Sequence, residues 1–162
     1  MISYQKAKVE EAPDIKKLLY KTWTSAYSDI YSQEAIDAVT SEWHSISLLT
    51  KQILNPNVSF IVAKSDEKII GMCNAEFKPK NKLLYIQRLH VDPKFQNRGI
   101  GSTLIKKVMG KFPSLIKLKL EVEKQNLKAF YFYQKHGFKK VGTKNFLVKG
   151  VRMPSLIMEK LI

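Results

Sequence analysis

The chain has a single cysteine, Cys73, so no disulfide can close within it. Cys73 lies in the run IIGMCNAEF, Ile69 to Phe77, which reads as a buried strand. A free cysteine there is a small core side chain, since a nucleophile would need a paired base and an electropositive setting. Nothing approaches the roughly 18 consecutive apolar residues of a membrane span, so no membrane partner is expected. The opening MISYQKAKVEEAPD lacks the charged-then-apolar layout of a secretory signal, and a cytoplasmic protein is expected. No metal-ligand set, internal repeat, low-complexity segment or linker is read. Residues 1–162 are therefore expected to form a single domain.

Acidic residues are scarce. Against 28 Lys and Arg stand 14 Asp and Glu, a net charge of +14. Such a balance points to anionic partners, either nucleic acid or a polyanionic small cofactor. The lysines are spread along the chain, with no dense basic tail or arginine-rich arm, which is the pattern of a solvated surface. Nucleic acid is therefore not the expected partner.

Hydrophobic periodicity outlines the elements. Ile2 to Val9 reads as a first strand, and Pro13 to Tyr27 as a helix opened by a first-turn proline. Ser32 caps a second helical stretch that reaches Leu54, with a break near Thr40 to His44. Strands follow at Ser59 to Ala63, Ile69 to Phe77 and Leu84 to Val91, joined by the turns Ser65–Lys68 and Lys78–Asn81. Asp92-Pro93 ends this antiparallel meander. Gly101 to Met109 reads as a helix, and Lys117 to Glu123 (KLKLEVE) as a half-buried strand. Asn126 caps a helix through His136, stopped by Gly137. Phe138 to Gly142 and Met153 to Lys160 read as closing strands. The fold class is α+β, a mostly antiparallel mixed sheet of about seven strands with about four helices.

The segment FQNRGIGSTLIKKVM, Phe95 to Met109, puts Gly99 and Gly101 at a helix start. Free amides and the helix dipole make such a turn an anion site, and glycine lets the backbone approach the ligand. A nucleotide P-loop requires Gly-Lys-Ser/Thr, but Gly101 is followed by Ser102 and Thr103, so that reading fails. The dinucleotide fingerprint fares little better. Glu121 lies twenty residues beyond Gly101, where a ribose-binding acid belongs, but Leu104 replaces the small third residue. Seven residues also separate Val91 from Gly99.

LHVDPKFQNRGIG resembles the acetyl-CoA signature of the GNAT superfamily of N-acetyltransferases, Gln/Arg-x-x-Gly-x-Gly/Ala after a strand ending in Val-x-Pro. Gln96, Gly99, Gly101 and Val91-Asp92-Pro93 carry the match. Asn126, Ala129, Phe132, Tyr133, Gly137 and Phe138 resemble the later motif of the family, in the right order and with the strand Lys117 to Glu123 between. The resemblance extends over the whole chain.

The resemblance implies acetyl transfer from acetyl-CoA directly to an amine. It implies that the loop Gln96, Asn97, Arg98, Gly99, Ile100, Gly101 and Ser102 holds the diphosphate. Leu89, His90 and Val91 would pair with the pantetheine arm, with an amide there polarising the thioester carbonyl. Asn126 and Ala129 would flank that arm, and Tyr133 would be the general acid that protonates the departing thiolate. Tyr131 is the rival phenol, read as packing or surface. Many members carry a glutamate on the strand before the loop, where this chain has Tyr85 and Gln87. Glu76 or a water chain is the candidate base, with Glu121, Glu123 and His90 as alternatives. Trp23, Tyr27 and Tyr31 are arranged as in the PaiA-like polyamine N-acetyltransferases, and are the candidate acceptor-binding residues. A polyamine such as spermidine or spermine is the first acceptor, and a protein or peptide amine the second. A homodimer is compatible with the sequence. Two readings of another class stay open: a CoA sensor without turnover, and a nucleic-acid binder on the same scaffold.

Overall fold

A computed structural model describes residues 1–162. Its strands are β1 Ile2–Lys6, β2 Val58–Ser65, β3 Lys68–Lys78, β4 Leu83–Val91, β5 Lys117–Glu123, β6 Lys139–Val148 and β7 Val151–Leu161. They form one sheet in the order β1-β2-β3-β4-β5-β7-β6. Every neighbouring pair is antiparallel except β4 and β5. The helices are α1 Ala12–Tyr27, α2 Gln33–Trp43, α3 Ile46–Leu54, α4 Ile100–Met109 and α5 Leu127–Lys135. None is long and apolar enough to cross a membrane.

Local chemistry explains the boundaries. In α1, Ile15, Leu18, Leu19, Thr22 and Trp23 recur at helical spacing and are buried. The stretch after Ser32 is two helices because Ser45 starts a new one: its Oγ accepts from Leu48 N at 3.1 Å, as Ser32 Oγ does from Ala35 N. Five α-helices result. β1 stops at Lys6, short of Val9, because the chain tightens into a helical turn at Val9–Glu11 and Glu11 accepts from Lys8 N at 2.9 Å. The last two strands run far beyond Gly142 and begin before Met153. Lys149 and Gly150, at φ 48° and 80°, form a tight hairpin whose two positive φ angles match strand twist. Asp66 and Glu67 do the same between β2 and β3.

Two apolar layers cover the sheet. Ile15, Leu18 and Leu19 of α1 and Leu49 and Ile53 of α3 pack with Phe60, Val62 and Met72 on one face. On the other, Ile100, Leu104, Ile105 and Val108 of α4 pack with Ile70, Cys73, Leu84 and Ile86. Leu104 is fully buried, and a Cβ added to Gly71 would meet its Cδ1 at 3.4 Å. Here the strand supplies the small residue and the helix the large one. Truncating such a leucine to alanine costs about 2–5 kcal/mol. A third cluster, Trp23, Tyr27, Ile36, Val39, Val148 and Met153, docks α1 and α2 on the β6–β7 hairpin.

The feature that positions the site is an interruption. β4 and β5 pair only through Leu83–Tyr85 and Lys117–Lys119. Beyond Tyr85, β4 stays with β3 while β5 stays with β7. The two strands part and open a cleft in the middle of the sheet. β4 also carries a bulge there: Asn74 faces Arg88 and Ala75 faces Ile86, leaving Gln87 unmatched. Bulges re-aim side chains and recur beside functional sites.

Candidate active site

The cleft encloses about 820 Å³. Its first wall is the loop between β4 and α4. Asp92 shapes the entry by accepting from Lys94 N at 2.9 Å and from Lys21 Nζ at 2.7 Å. Gln96 Nε2 donates to Val91 O at 3.0 Å, and Lys128 Nζ donates to Gln96 Oε1, so Gln96 ties the loop to β4 and α5. Asn97 and Gly99 adopt φ of 62° and 77°. The amides from Gln96 through Ser102 reach no acceptor in the chain. A helix start leaves its first amides without intrahelical partners, and a row left free there fits a diphosphate, which brings acceptor oxygens and negative charge. Ser102 is held in place: His136 Nδ1–H donates to Phe132 O at 2.7 Å, so its bare Nε2 accepts from Ser102 Oγ at 2.6 Å. Arg98 lies over the ring of Phe95, 5.1 Å from its centroid, and Ile100 is buried in the core. Both serve the loop from behind, Ile100 reaching the cleft as well.

The second wall is the free edge of β4, where Leu89, His90 and Val91 line the cleft. Opposite them, Asn126 caps α5 by accepting from Ala129 N at 3.2 Å and donates from Nδ2 to Tyr27 Oη, also at 3.2 Å. Tyr133 packs edge-on against Phe132 and Phe138. Its ring is buried, yet its hydroxyl has no protein partner and faces the cleft. Burial pushes this phenol well above its ordinary range, so it stays protonated at neutral pH and keeps a proton to donate. Tyr131 is 59% exposed and points away.

The far end of the cleft carries aromatic rings and two carboxylates. Trp23, Tyr27, Trp43, Tyr85 and Phe146 line it together with Glu121 and Glu123. Tyr85 Oη donates to Glu121. Glu123 accepts from Gln125 N at 2.7 Å and from Tyr31 Oη at 3.3 Å. Tyr31 thus meets the site through Glu123, outside the lining itself. Burial drives the Tyr27 phenol up to about 12, and burial with the Glu123 charge raises Tyr31 too. Glu76 is not brought to the cleft. The β3–β4 register sets it behind Gln87 Nε2, at 3.4 Å, and Lys78 Nζ binds it at 2.7 Å.

Several lining residues carry no signal in the sequence. Arg88 is buried without a carboxylate partner. It donates through Nε to His44 Nδ1 at 3.0 Å, through Nη1 to Asn74 Oδ1 and Gln52 Oε1, and through Nη2 to Trp43 O. His44, from the end of α2, and Arg88 meet only after the helical layer folds onto the sheet.

A mixed sheet opened beside a parallel pair, with a free amide row and a buried phenol across the gap, defines an acyl-CoA-binding fold. The acetyltransferase (GNAT) family model matches residues 13–138, and the chain belongs to this family. It is an acetyl-CoA-dependent N-acetyltransferase. It is 30% identical over 145 residues to spermidine N(1)-acetyltransferase of Thermoplasma acidophilum, covering 85% of this chain and 88% of that one. The crystal structure of PaiA N-acetyltransferase from Thermoplasma acidophilum in complex with coenzyme A superposes with a TM-score of 0.87 at 27% identity, over 100% of this chain and 99% of that chain. The ribosomal-protein-S18-alanine N-acetyltransferase from Escherichia coli shares the fold at 15% identity and a TM-score of 0.74, over 100% and 94% of the two chains.

Proposed function

We propose that the acceptor is a polyamine such as spermidine, acetylated on a primary amine by direct transfer. One observation carries this reading: in a chain of net charge +14, two carboxylates, Glu121 and Glu123, stand together among aromatic rings at one end of the cleft. Carboxylates attract ammonium groups, and aromatic faces hold cations. The negative charge of the cleft is thus gathered at one end, where Lys144 Nζ approaches Glu121 to 4.0 Å and Glu123 is left for a cation. The similar Thermoplasma enzyme is a spermidine acetyltransferase, which supports the same class.

In this reading the amides of Gln96 to Ser102 hold the diphosphate, and Ala129 and Asn126 flank the pantetheine arm. The free edge Leu89–Val91 orients the thioester. Acetyl-CoA supplies the activated acetyl group. Tyr133 donates its proton to the departing sulfur, replaced afterwards from solvent. Trp23, Tyr27 and Tyr31 shape the acceptor end, with Glu123 holding a cationic nitrogen. No carboxylate of β4 serves as base, and Glu76 is sequestered by Lys78, so the amine proton leaves to water.

The test is CoA release, corrected for acetyl-CoA hydrolysis, across spermidine, spermine, amino acids, aminoglycosides and N-terminal peptides. Polyamines are expected to give the highest kcat/KM. A peptide giving the highest value would move the acceptor to the protein class.

A further inference from the structure

The acceptor end of the cleft has a basic side as well as an acidic one, and its protons are fixed by the hydrogen-bond network. Arg88 Nε–H donates to His44 Nδ1 at 3.0 Å. An arginine nitrogen can only donate, so Nδ1 of His44 is bare and its proton sits on Nε2. That Nε2–H is buried with no partner in the protein, and His44, itself 3% exposed, lines the cleft. A buried orphan donor is costly to leave unmet. The second imidazole has the opposite tautomer. Thr22 Oγ1 lies 3.1 Å from Leu19 O and 3.0 Å from His90 Nδ1; with its one hydrogen on the Leu19 carbonyl, it accepts from His90 Nδ1–H. The Nε2 of His90 is left as a lone pair, and no group of the protein bonds to it. The two rings lie 6.3 Å apart.

We propose that Arg88 is a positioning residue that locks His44 as the Nε2–H tautomer, so that His44 and His90 together receive the reacting amine in its neutral form. A neutral amine offers a lone pair to His44 and a hydrogen to His90. An ammonium offers only hydrogens, cannot satisfy His44, and faces the buried guanidinium without a counter-ion. The amine sheds its proton to solvent on entering, keeps its bond to His90 as it attacks and gives up the bond to His44; a second proton then leaves the attacking nitrogen for water as the carbon–sulfur bond breaks and Tyr133 protonates the sulfur. The cleft is thus bipolar. β5 holds a charged nitrogen through Glu121 and Glu123, and β4 with the end of α2 holds an uncharged one. The acceptor class is a molecule with two or more amines, one kept cationic while another reacts.

The charged and titratable groups facing this corner are few. β4 supplies Arg88 and Tyr85, α1 supplies Tyr27, β5 across the cleft supplies Glu121 and Glu123, and Lys144 of β6 meets Glu121 at 4.0 Å. α1, α3 and β3 contribute neutral Thr22, Gln52 and Asn74. Burial and the Arg88 charge hold both imidazoles below their ordinary range, in line with the tautomers.

The substrate-class part rests on the polyamine reading, but the tautomers do not. Long-range 1H–15N correlation on the free protein is expected to show His44 protonated on Nε2 and His90 on Nδ1, with neither titrating through the neutral range. His44 carrying its proton on Nδ1, or either ring titrating near its ordinary pKa of about 6.5, would overturn the proposal whatever the substrate. Arg88→Met is expected to mix the His44 tautomers and to move the acidic limb of the kcat–pH profile up by about one unit or more, as the bound amine regains its basicity. Arg88→Lys keeps the buried charge, and the limb stays low. A folded Arg88→Met with an unmoved limb refutes the role of the buried charge. Polyamines that fail as substrates while the tautomers hold remove the acceptor class and leave the lock in place.

Discussion

Gly101 lies under the ring of Phe132: a Cβ at that position would come within 3.2 Å of Phe132 Cζ. The second glycine of the loop is therefore a packing residue between α4 and α5 as well as an approach point for a phosphate. Gly101→Ala is expected to push Phe132 aside and cost about 1–3 kcal/mol, as overpacking does. Gly99 differs, since nothing lies within 4 Å of its added Cβ but its φ is 77°. Gly99→Ala is expected to cost about 1–2 kcal/mol through backbone strain. Thermal unfolding checks both, and a raised KM for acetyl-CoA should accompany them. An unchanged KM in both variants would disconnect the loop from the cofactor.

The Tyr133 hydroxyl faces the cleft with no protein partner, and is assigned to the leaving sulfur. Tyr133→Phe is expected to lower kcat by about 100-fold or more with little change in the KM for acetyl-CoA. Tyr131→Phe should leave both constants alone, because Tyr131 is on the surface. Retention of full kcat in Tyr133→Phe would sink the assignment.

Glu123 is braced by Gln125 and Tyr31, and the proposed acceptor places a cation on it. Glu123→Gln keeps the shape and the Gln125 contact but removes the charge. Losing one charged hydrogen bond of about 1.5–3 kcal/mol lowers kcat/KM for spermidine roughly ten- to hundred-fold. The KM for acetyl-CoA should not move. Equal kinetics for the variant and the parent would place the ammonium elsewhere.

His90 gives stability a pH dependence of known sign. Burial and the Arg88 charge lower it to about 3 in the fold, against about 6.5 in an unfolded chain. Between those values the unfolded state binds the extra proton, so stability is complete above about pH 6.5 and falls on acidification. The slope approaches about 1.4 kcal/mol per pH unit for each such histidine, and His44 adds in the same direction. Urea unfolding at neutral and mildly acidic pH measures the loss. In His90→Gln the slope is expected to flatten, and a slope as steep as the parent's would assign it to other groups.

What the sequence made legible was local. The Val-Asp-Pro turn, the two glycines, the capping Asn126 and the alternation of Lys117 to Glu123 each carry their structure within a few residues. The long last hairpin was harder to see because its turn is Lys149-Gly150, where a lysine at positive φ has no propensity to announce it. The acceptor end was harder still. His44, Arg88 and Thr22 belong to α2, β4 and α1 and acquire meaning only as neighbours. Glu76 illustrates the converse: strand alternation put it in range, but Lys78, two residues along the same strand, binds it.

The three residue pairs that join β4 to β5 have a mechanical consequence. The sheet is two stiff plates, β1–β4 and β5–β7–β6, on a short hinge at Leu83–Tyr85. Whatever lies between the plates sets their opening angle and braces them against each other. Donor and acceptor enter one jaw, so filling half of it fixes the geometry offered to the other half. Amide exchange in β4 and in β5 is then expected to slow in concert when CoA is added, although β5 lies on the other plate.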